Sequence, residues 1–493
     1  MPSSEPSRPR TRGRVPSALL ALLFGAVVYL NIGLVTDEKN VNTSLAHQSE
    51  FNWNKVEPTH DLQWVPCYSD QQCARLLLPL DHDIPDGPTT AIAIRMIPAT
   101  DKENYRGTRS GKDISRVLGP AYDVLSFDPR GIGYTTPLAS CFDSKSQRDI
   151  WKTQEGHMLL NFTDASLATY RSRAEALGQR CAVKLGGEWG IGRFAGTAYV
   201  ARDMLEMTKI LGQEQLQYWG FSYGTALGQY FAAMYPENVK RIILDGVIDG
   251  HSYRRARYET DIEDVQNVAD TFFAFCHAAG ADKCVLYEST PAKIRDRFYA
   301  ILDAVTASPV AIPLAEPPLV VTRKALAEQL FEATYRPIYT FPVVAATYHA
   351  LETGNATALR ALAPSIVSPT ACACAEAGPH AAVANEARWA VERLTAPVAA
   401  ERTAHPLLLL SNRFDPVTPL AQARRTGRGW GRGAVGAGER GHCSTSSPSV
   451  CTAKVGVLPE EGATCEVDVL PFVGERDGGT NGFSEEDREL AEA

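Results

Sequence analysis

Positive charge is in short supply in this chain: 49 lysines and arginines face 57 aspartates and glutamates, a formal net charge of −8. A nucleic-acid binder needs a basic field, so no nucleic-acid partner is expected. No self-similarity recurs at a fixed period, which argues against a solenoid or repeat array. Cys372-Ala-Cys374 lacks a second ligand pair at zinc spacing, so no metal is expected, and no cofactor either. What is present is ordinary for a large globular protein. Over 493 residues, 44% are hydrophobic and 22% charged, which suits one α/β unit carrying an insertion.

The N-terminal region has a distinct organisation. Arg8, Arg10, Arg12 and Arg14 precede an almost uncharged run from Pro16 to Val35, and Asp37, Glu38 and Lys39 follow it. Such a run, about 20 residues and roughly 30 Å as a helix, can cross a bilayer. Arginines on its N-terminal side should keep the tail cytosolic and send the rest across. No clear small-x-small cleavage site follows, so a signal anchor is expected; the alternative is a cleaved signal peptide and a secreted protein. Eleven cysteines and three acceptor sequons, at Asn42, Asn161 and Asn355, fit an extracellular or lumenal ectodomain. The expected organisation is a basic tail (1–15), a membrane helix (16–35), a stalk (36–60), a core (61–250), a helical cap (251–400), the end of the core (401–472) and an acidic tail (473–493).

Within the core, the stretches after Cys73 and over Thr90–Ile97 read as strands joined by a turn at Pro85–Pro88, and Tyr122–Phe127 reads as a third. Thr197–Leu211 has helical spacing, and Val239–Asp245 is a further strand. This alternation predicts a mostly parallel, doubly wound sheet. From about residue 252 the chain turns helical, over Ile262–His277, Pro291–Ala307, Arg323–Tyr335 and Pro342–Leu362, before a strand returns at His405–Ser411.

The chemistry centres on Gly220-Phe-Ser222-Tyr-Gly224, between a strand-like Leu216–Gly220 and a helix-like Thr225–Met234. Strand, Gly-x-Ser-x-Gly, helix is the context of a nucleophile elbow, whose tight turn leaves no room for side chains beside the serine. An unaided serine is a poor nucleophile, so a base and an orienting acid are needed, following the serine in chain order. Asp415, after the apolar run Leu407–Leu410, fits the acid, and His442 in Gly441-His-Cys-Ser444 fits the base.

With Asp128-Pro-Arg-Gly-Ile-Gly133 and Asn412-Arg-Phe-Asp-Pro-Val-Thr-Pro419, these motifs resemble secreted tripeptidyl aminopeptidases of the prolyl-aminopeptidase-like α/β-hydrolase group. The similarity runs from about Trp64 to Phe472 and includes Cys67-Tyr-x-x-x-x-Cys73-Ala-Arg-Leu. The resemblance implies an α/β-hydrolase fold with a helical cap before the last strands, Ser222 as nucleophile, Asp415 as acid and His442 as base. The Tyr223 backbone N–H would be one oxyanion donor, and the substrates would be peptides with a free N-terminus. The Asp128–Gly133 loop reads as a structural turn. An aminopeptidase also needs a carboxylate for the substrate ammonium, and Glu259, Asp261, Glu263 and Asp264 are candidates. An esterase-like or lipase-like hydrolase shares elbow and triad and is the alternative.

The chain departs from that family in three places. Relatives carry a strand and a Gly-Gly-Pro-Gly loop, supplying the second oxyanion N–H, where this chain has Tyr105–Asp113. The strand expected before His442 is replaced by Arg424–Gly438, poor in strand formers. The stretch after Cys451–Lys454 is short. A segment lost from the coding sequence, or divergence to a catalytically impaired protein, would account for all three. Among the cysteines, Cys67 with Cys73, Cys276 with Cys284 and Cys443 with Cys451 are close pairs, and Cys141 with Cys181 is a fourth candidate; Cys372, Cys374 and Cys465 are left over.

Overall fold

The computed structural model describes residues 51–68, 70–101, 118–156, 158–160, 165–366, 397–400, 402–412 and 415–430, with the backbone at 108–109 and 434–436 and two short strands near the C-terminus. The expected membrane helix over 16–35 lies outside these residues. Among the described residues, no helix is long and apolar enough to cross a membrane.

In chain order the core begins with β1 (Pro58–Thr59), β2 (Val65–Cys67), β3 (Gln71–Pro79), β4 (Thr89–Ile97), β5 (Thr108–Arg109) and β6 (Asp123–Phe127). Helices α1 (Lys145–Thr153), α2 (Ser166–Leu185) and α3 (Thr197–Ile210) follow, then β7 (Leu216–Phe221), α4 (Tyr223–Met234), β8 (Val239–Asp245) and α5 (Gly250–Arg254). The insertion comprises α6 (Val265–Ala279), α7 (Pro291–Ala307), the hairpin β9 (Val310–Ile312) and β10 (Leu319–Val321), α8 (Arg323–Ala333), α9 (Pro337–Thr353) and α10 (Ala356–Ile366). The chain returns through β11 (Leu407–Ser411), α11 (Leu420–Gly429) and β12 (Ala434–Gly436).

Apart from the β9–β10 hairpin and a two-stranded pair near the C-terminus, the strands form two sheets. One runs β1-β3-β4-β6-β5 with β2 beside β3, and the other runs β12-β11-β8-β7. The second is wholly parallel, as expected. In the first, β4 is antiparallel to both β3 and β6, which corrects the expectation of a mostly parallel sheet there. For β3 and β4 the physical reason is the short turn that joins them: a parallel pair needs a crossover of about a dozen residues or more. One hydrophobic cluster serves both sheets, joining Leu76 and Ile92 to Met204 on α3, Phe231 on α4, Leu244 on β8 and Leu409 on β11. On another face Val124, Trp219 and Leu410 close a second cluster across the junction between the sheets.

The Arg424–Gly438 stretch does contain a strand, the three residues of β12 paired in parallel with β11. Pairing with a fully buried, mostly leucine neighbour outweighs poor strand propensity. The helix expected over Pro342–Leu362 is two helices, because Gly354 adopts a left-handed φ of 65° that caps α9. The exposed Asn355 then accepts a bond from Ala358 N (3.0 Å) at the start of α10. Residues 272–366 hold a hydrophobic cluster of their own, built around Phe272, Phe298 and Phe341. Disulfides join Cys67–Cys73, Cys141–Cys181 and Cys276–Cys284. The Cys443–Cys451 pair, Cys372, Cys374, Cys465, Asn42 and Asn161 lie outside the described residues.

Candidate active site

Ser222 is the single residue between β7 and α4, and its backbone sits at φ 51°, ψ −119°, a region side chains normally avoid. Three bonds hold it there. Its N–H donates to the Asp245 carbonyl at the end of β8 (2.9 Å), and its own carbonyl accepts from Thr225 N (2.8 Å) and Thr225 Oγ1 (2.7 Å). The flanking glycines are dictated by contact. A Cβ on Gly220 would lie 2.4 Å from the Gly224 carbonyl oxygen and 2.5 Å from Tyr218 Cε1, and one on Gly224 would lie 3.0 Å from the Tyr218 hydroxyl. That hydroxyl donates to the Gly224 carbonyl (2.8 Å), and burial pushes its pKa up, which keeps it a donor. Gly220→Ala should therefore destabilise the protein by about 3 kcal/mol through overpacking. Urea unfolding measures this, and a loss under about 0.5 kcal/mol would refute the close-contact account.

Asp415 follows β11 and is fully buried. Its Oδ1 accepts from Val417 N (3.0 Å) and Thr418 N (2.8 Å), and its Oδ2 from Thr418 Oγ1 (2.8 Å). This side-chain-to-backbone turn fixes the carboxylate before α11 begins. Register relates the two candidate residues: Phe221 on β7 is opposite Asp245 on β8, which is opposite Leu410 on β11, which is opposite Val435 on β12. The carboxyl ends of all four strands thus line one edge. Ser222 follows β7, and Asp415 follows β11 two strand spacings away, about 10 Å. His442 comes after β12 in the chain, but it lies outside the described residues. Tyr223 opens α4, where first-turn N–H groups have no partner within the helix. Its hydroxyl meets Thr197 Oγ1 at 3.0 Å.

The four candidate carboxylates are not equivalent. Glu259 is exposed and paired with Arg257 (2.7 Å); a bond from its own backbone and that arginine hold its pKa down. Glu263 is exposed and stands 3.5 Å from Arg425. Asp261 accepts from Gln422 Nε2 (2.7 Å), and burial pushes its pKa up to about 7. Burial also raises the pKa of Asp264, and the charges of Glu263 and Asp415 add to the effect, so Asp264 lies within the field of Asp415. Gln422 and Arg425 carry no motif in the sequence and become visible only when α11 meets the segment entering the insertion.

The Asp128–Gly133 loop is built as a turn. Asp128 Oδ2 accepts from Tyr134 N (2.8 Å), leaving no space for a Cβ at Gly133, which has φ 57°. Arg130, fully buried, forms a two-point pair with Asp203 on α3 (2.5 and 2.7 Å) and also donates to the Leu80 and Pro79 carbonyls. Among the described residues no cluster of His, Cys, Asp or Glu could hold a metal ion.

A strained serine at a strand–helix junction, with a buried acid on the same sheet edge, defines a hydrolase of the nucleophile-elbow class. The alpha/beta hydrolase fold family matches residues 103–432, and the chain belongs to that family. It is similar to serine protease Hip1 of Mycobacterium tuberculosis, 26% identical over 266 residues covering 49% of each chain. It is also similar to a tripeptidyl aminopeptidase of Streptomyces lividans, 27% identical over 38% of each, and to carboxylesterase B of M. tuberculosis, 27% identical over 48% of this chain and 47% of that one. The matches thus span about half, or less, of these relatives' length.

Proposed function

We propose that the protein is a serine exopeptidase that releases short peptides from free N-termini. The observation that carries the serine chemistry is the strained, glycine-flanked Ser222 at the carboxyl edge of a parallel sheet. In this reading Ser222 Oγ attacks the scissile carbonyl carbon while His442 takes the hydroxyl proton. His442 returns that proton to the leaving amine as the C–N bond breaks, and water then cleaves the acyl-enzyme ester. Asp415 holds the imidazole in one tautomer, and the Tyr223 N–H donates to the developing oxyanion. Similarity to relatives named as a serine protease and a tripeptidyl aminopeptidase supports peptides as substrates. Similarity to a carboxylesterase supports the second reading, an esterase.

Asp261 and Asp264 are the carboxylates suited to a substrate ammonium, and they make the readings separable. A carboxyl that titrates near 7 is neutral below that pH and anionic above it. A peptide α-amine, with a pKa of about 8, is charged below that. Affinity for free-amine tripeptides should therefore peak between about 7 and 8, with KM rising towards tenfold per unit below about 7. N-acetylated tripeptides share any titration of His442, so the ratio of the two KM values isolates Asp261. Asp261→Asn should flatten the acid limb of that ratio. A ratio near one at every pH would favour the esterase reading.

The proposed setting is a membrane-anchored or secreted ectodomain outside the cytosol. Asn355 is exposed, as an acceptor must be, and three disulfides suit that compartment. Endoglycosidase treatment of protein from a secreting eukaryotic host should increase its gel mobility. An unchanged band with Cys141 and Cys181 open to alkylation would refute export.

A further inference from the structure

Gln422 is polar, fully buried and outside the proposed triad. It sits in the first turns of α11, directly after the Asp415 loop. Both ends of its amide are committed. Oε1 accepts from Asp249 N (2.6 Å), and Nε2 donates to Asp261 Oδ1 (2.7 Å). A backbone N–H can only donate, so the carbonyl end must face Asp249 and the NH2 end must face Asp261. Asp249 is itself fixed, since its carboxylate accepts from His251 N (3.0 Å) and Ser252 Oγ (3.0 Å) at the start of α5. One side chain therefore joins three segments: the loop after β8, the entry to the insertion and the helix behind the triad acid.

We propose that Gln422 is a specificity-determining positioning residue, which aims the Asp261 carboxylate at the substrate's α-ammonium and holds it at a set distance from Asp415. The role rests on the exopeptidase reading. A buried carboxylate without a donor favours its neutral form, and the Gln422 amide opposes that by bonding the anion. Without this donor Asp261 would both lose its orientation and hold its proton more tightly. The bonds from Val417 and Thr418 to the Asp415 carboxylate do not involve the Gln422 side chain, so they should survive its loss.

The test uses the full chain and reads how well a tripeptide amide, free or N-acetylated, protects Ser222 from a fluorophosphonate probe. Wild type should bind the free-amine peptide at least about tenfold more tightly. Gln422→Met, similar in length but without hydrogen bonds, should remove most of that preference while leaving N-acetyl binding and the unprotected labelling rate within about twofold. Gln422→Thr, which leaves room for water at Asp249 N, serves in its place should the methionine variant fail to fold. Because the two residues act as one unit, adding either variant to Asp261→Asn should cause no further loss of preference. Equal weakening of both peptides, a slowed labelling rate, an intact preference or additive losses would each overturn the proposal. If wild type fails to distinguish the peptides, the exopeptidase reading fails at that step, before any variant is compared, and this role falls with it.

Discussion

Ser222→Ala is expected to abolish labelling by fluorophosphonates and to lower turnover of any ester or peptide substrate by roughly 10⁵- to 10⁶-fold. The size follows from the chemistry: without the hydroxyl no acyl-enzyme forms, and only binding and oxyanion stabilisation remain. Stability should barely change. Alanine at φ 51° is strained about as much as serine, and the bonds that hold the turn use the backbone of residue 222 rather than its side chain. The variant should therefore be a folded, silent protein with the urea midpoint of wild type. Asp415→Asn should cost less, about 10⁴-fold, since the nucleophile and base survive but the imidazole loses its anionic partner. Labelling that persists in Ser222→Ala would move the nucleophile elsewhere. An unlabelled but folded wild type would remove the enzyme reading.

Legibility in the sequence followed how local each constraint is. The elbow could be read because three short-range demands coincide at Gly220–Gly224: a strand ending, a helix beginning and no room for side chains. The turn that carries the acid candidate is local too, because Asp415 closes it within a few residues. β12 was misjudged because its stability comes from β11, a neighbour in space, and not from the propensities of Ala434–Gly436. Helices α1 and α2 were not anticipated; the Cys141–Cys181 disulfide anchors α2 across a long sequence separation. Gln422 was illegible for the same reason, since a lone glutamine acquires meaning only from Asp249 and Asp261. The four cap carboxylates looked equivalent by composition, and burial distinguishes them.

Inserting a strand and a Gly-Gly-Pro-Gly loop of the kind found in the resembling aminopeptidases after Thr108 is expected to raise turnover about 100- to 1,000-fold. The motive is the break between the two sheets. β6 and β7 belong to different sheets, and among the described residues the pairing found in the gap is that of the two-residue β5 with Asp123 and Val124. In the resembling family a full strand stands here, and the loop at its carboxyl end delivers the second oxyanion N–H. In the proposed mechanism the Tyr223 N–H is one oxyanion donor, and a second would be worth about 3 kcal/mol, which converts to the stated gain. Asp415, the proposed acid, follows β11, on the far side of β7 from the gap, so restoring the strand should leave its turn unchanged. The repair should also raise stability, because it would extend the pairing of β6 beyond Val124 and enlarge the cluster of Val124, Trp219 and Leu410. Ser222→Ala in the repaired chain should cancel the gain in turnover and keep the gain in stability, which separates catalysis from folding. Equal turnover by the original and repaired chains, on ester and peptide substrates alike, would show that the second donor is already supplied by residues of this chain.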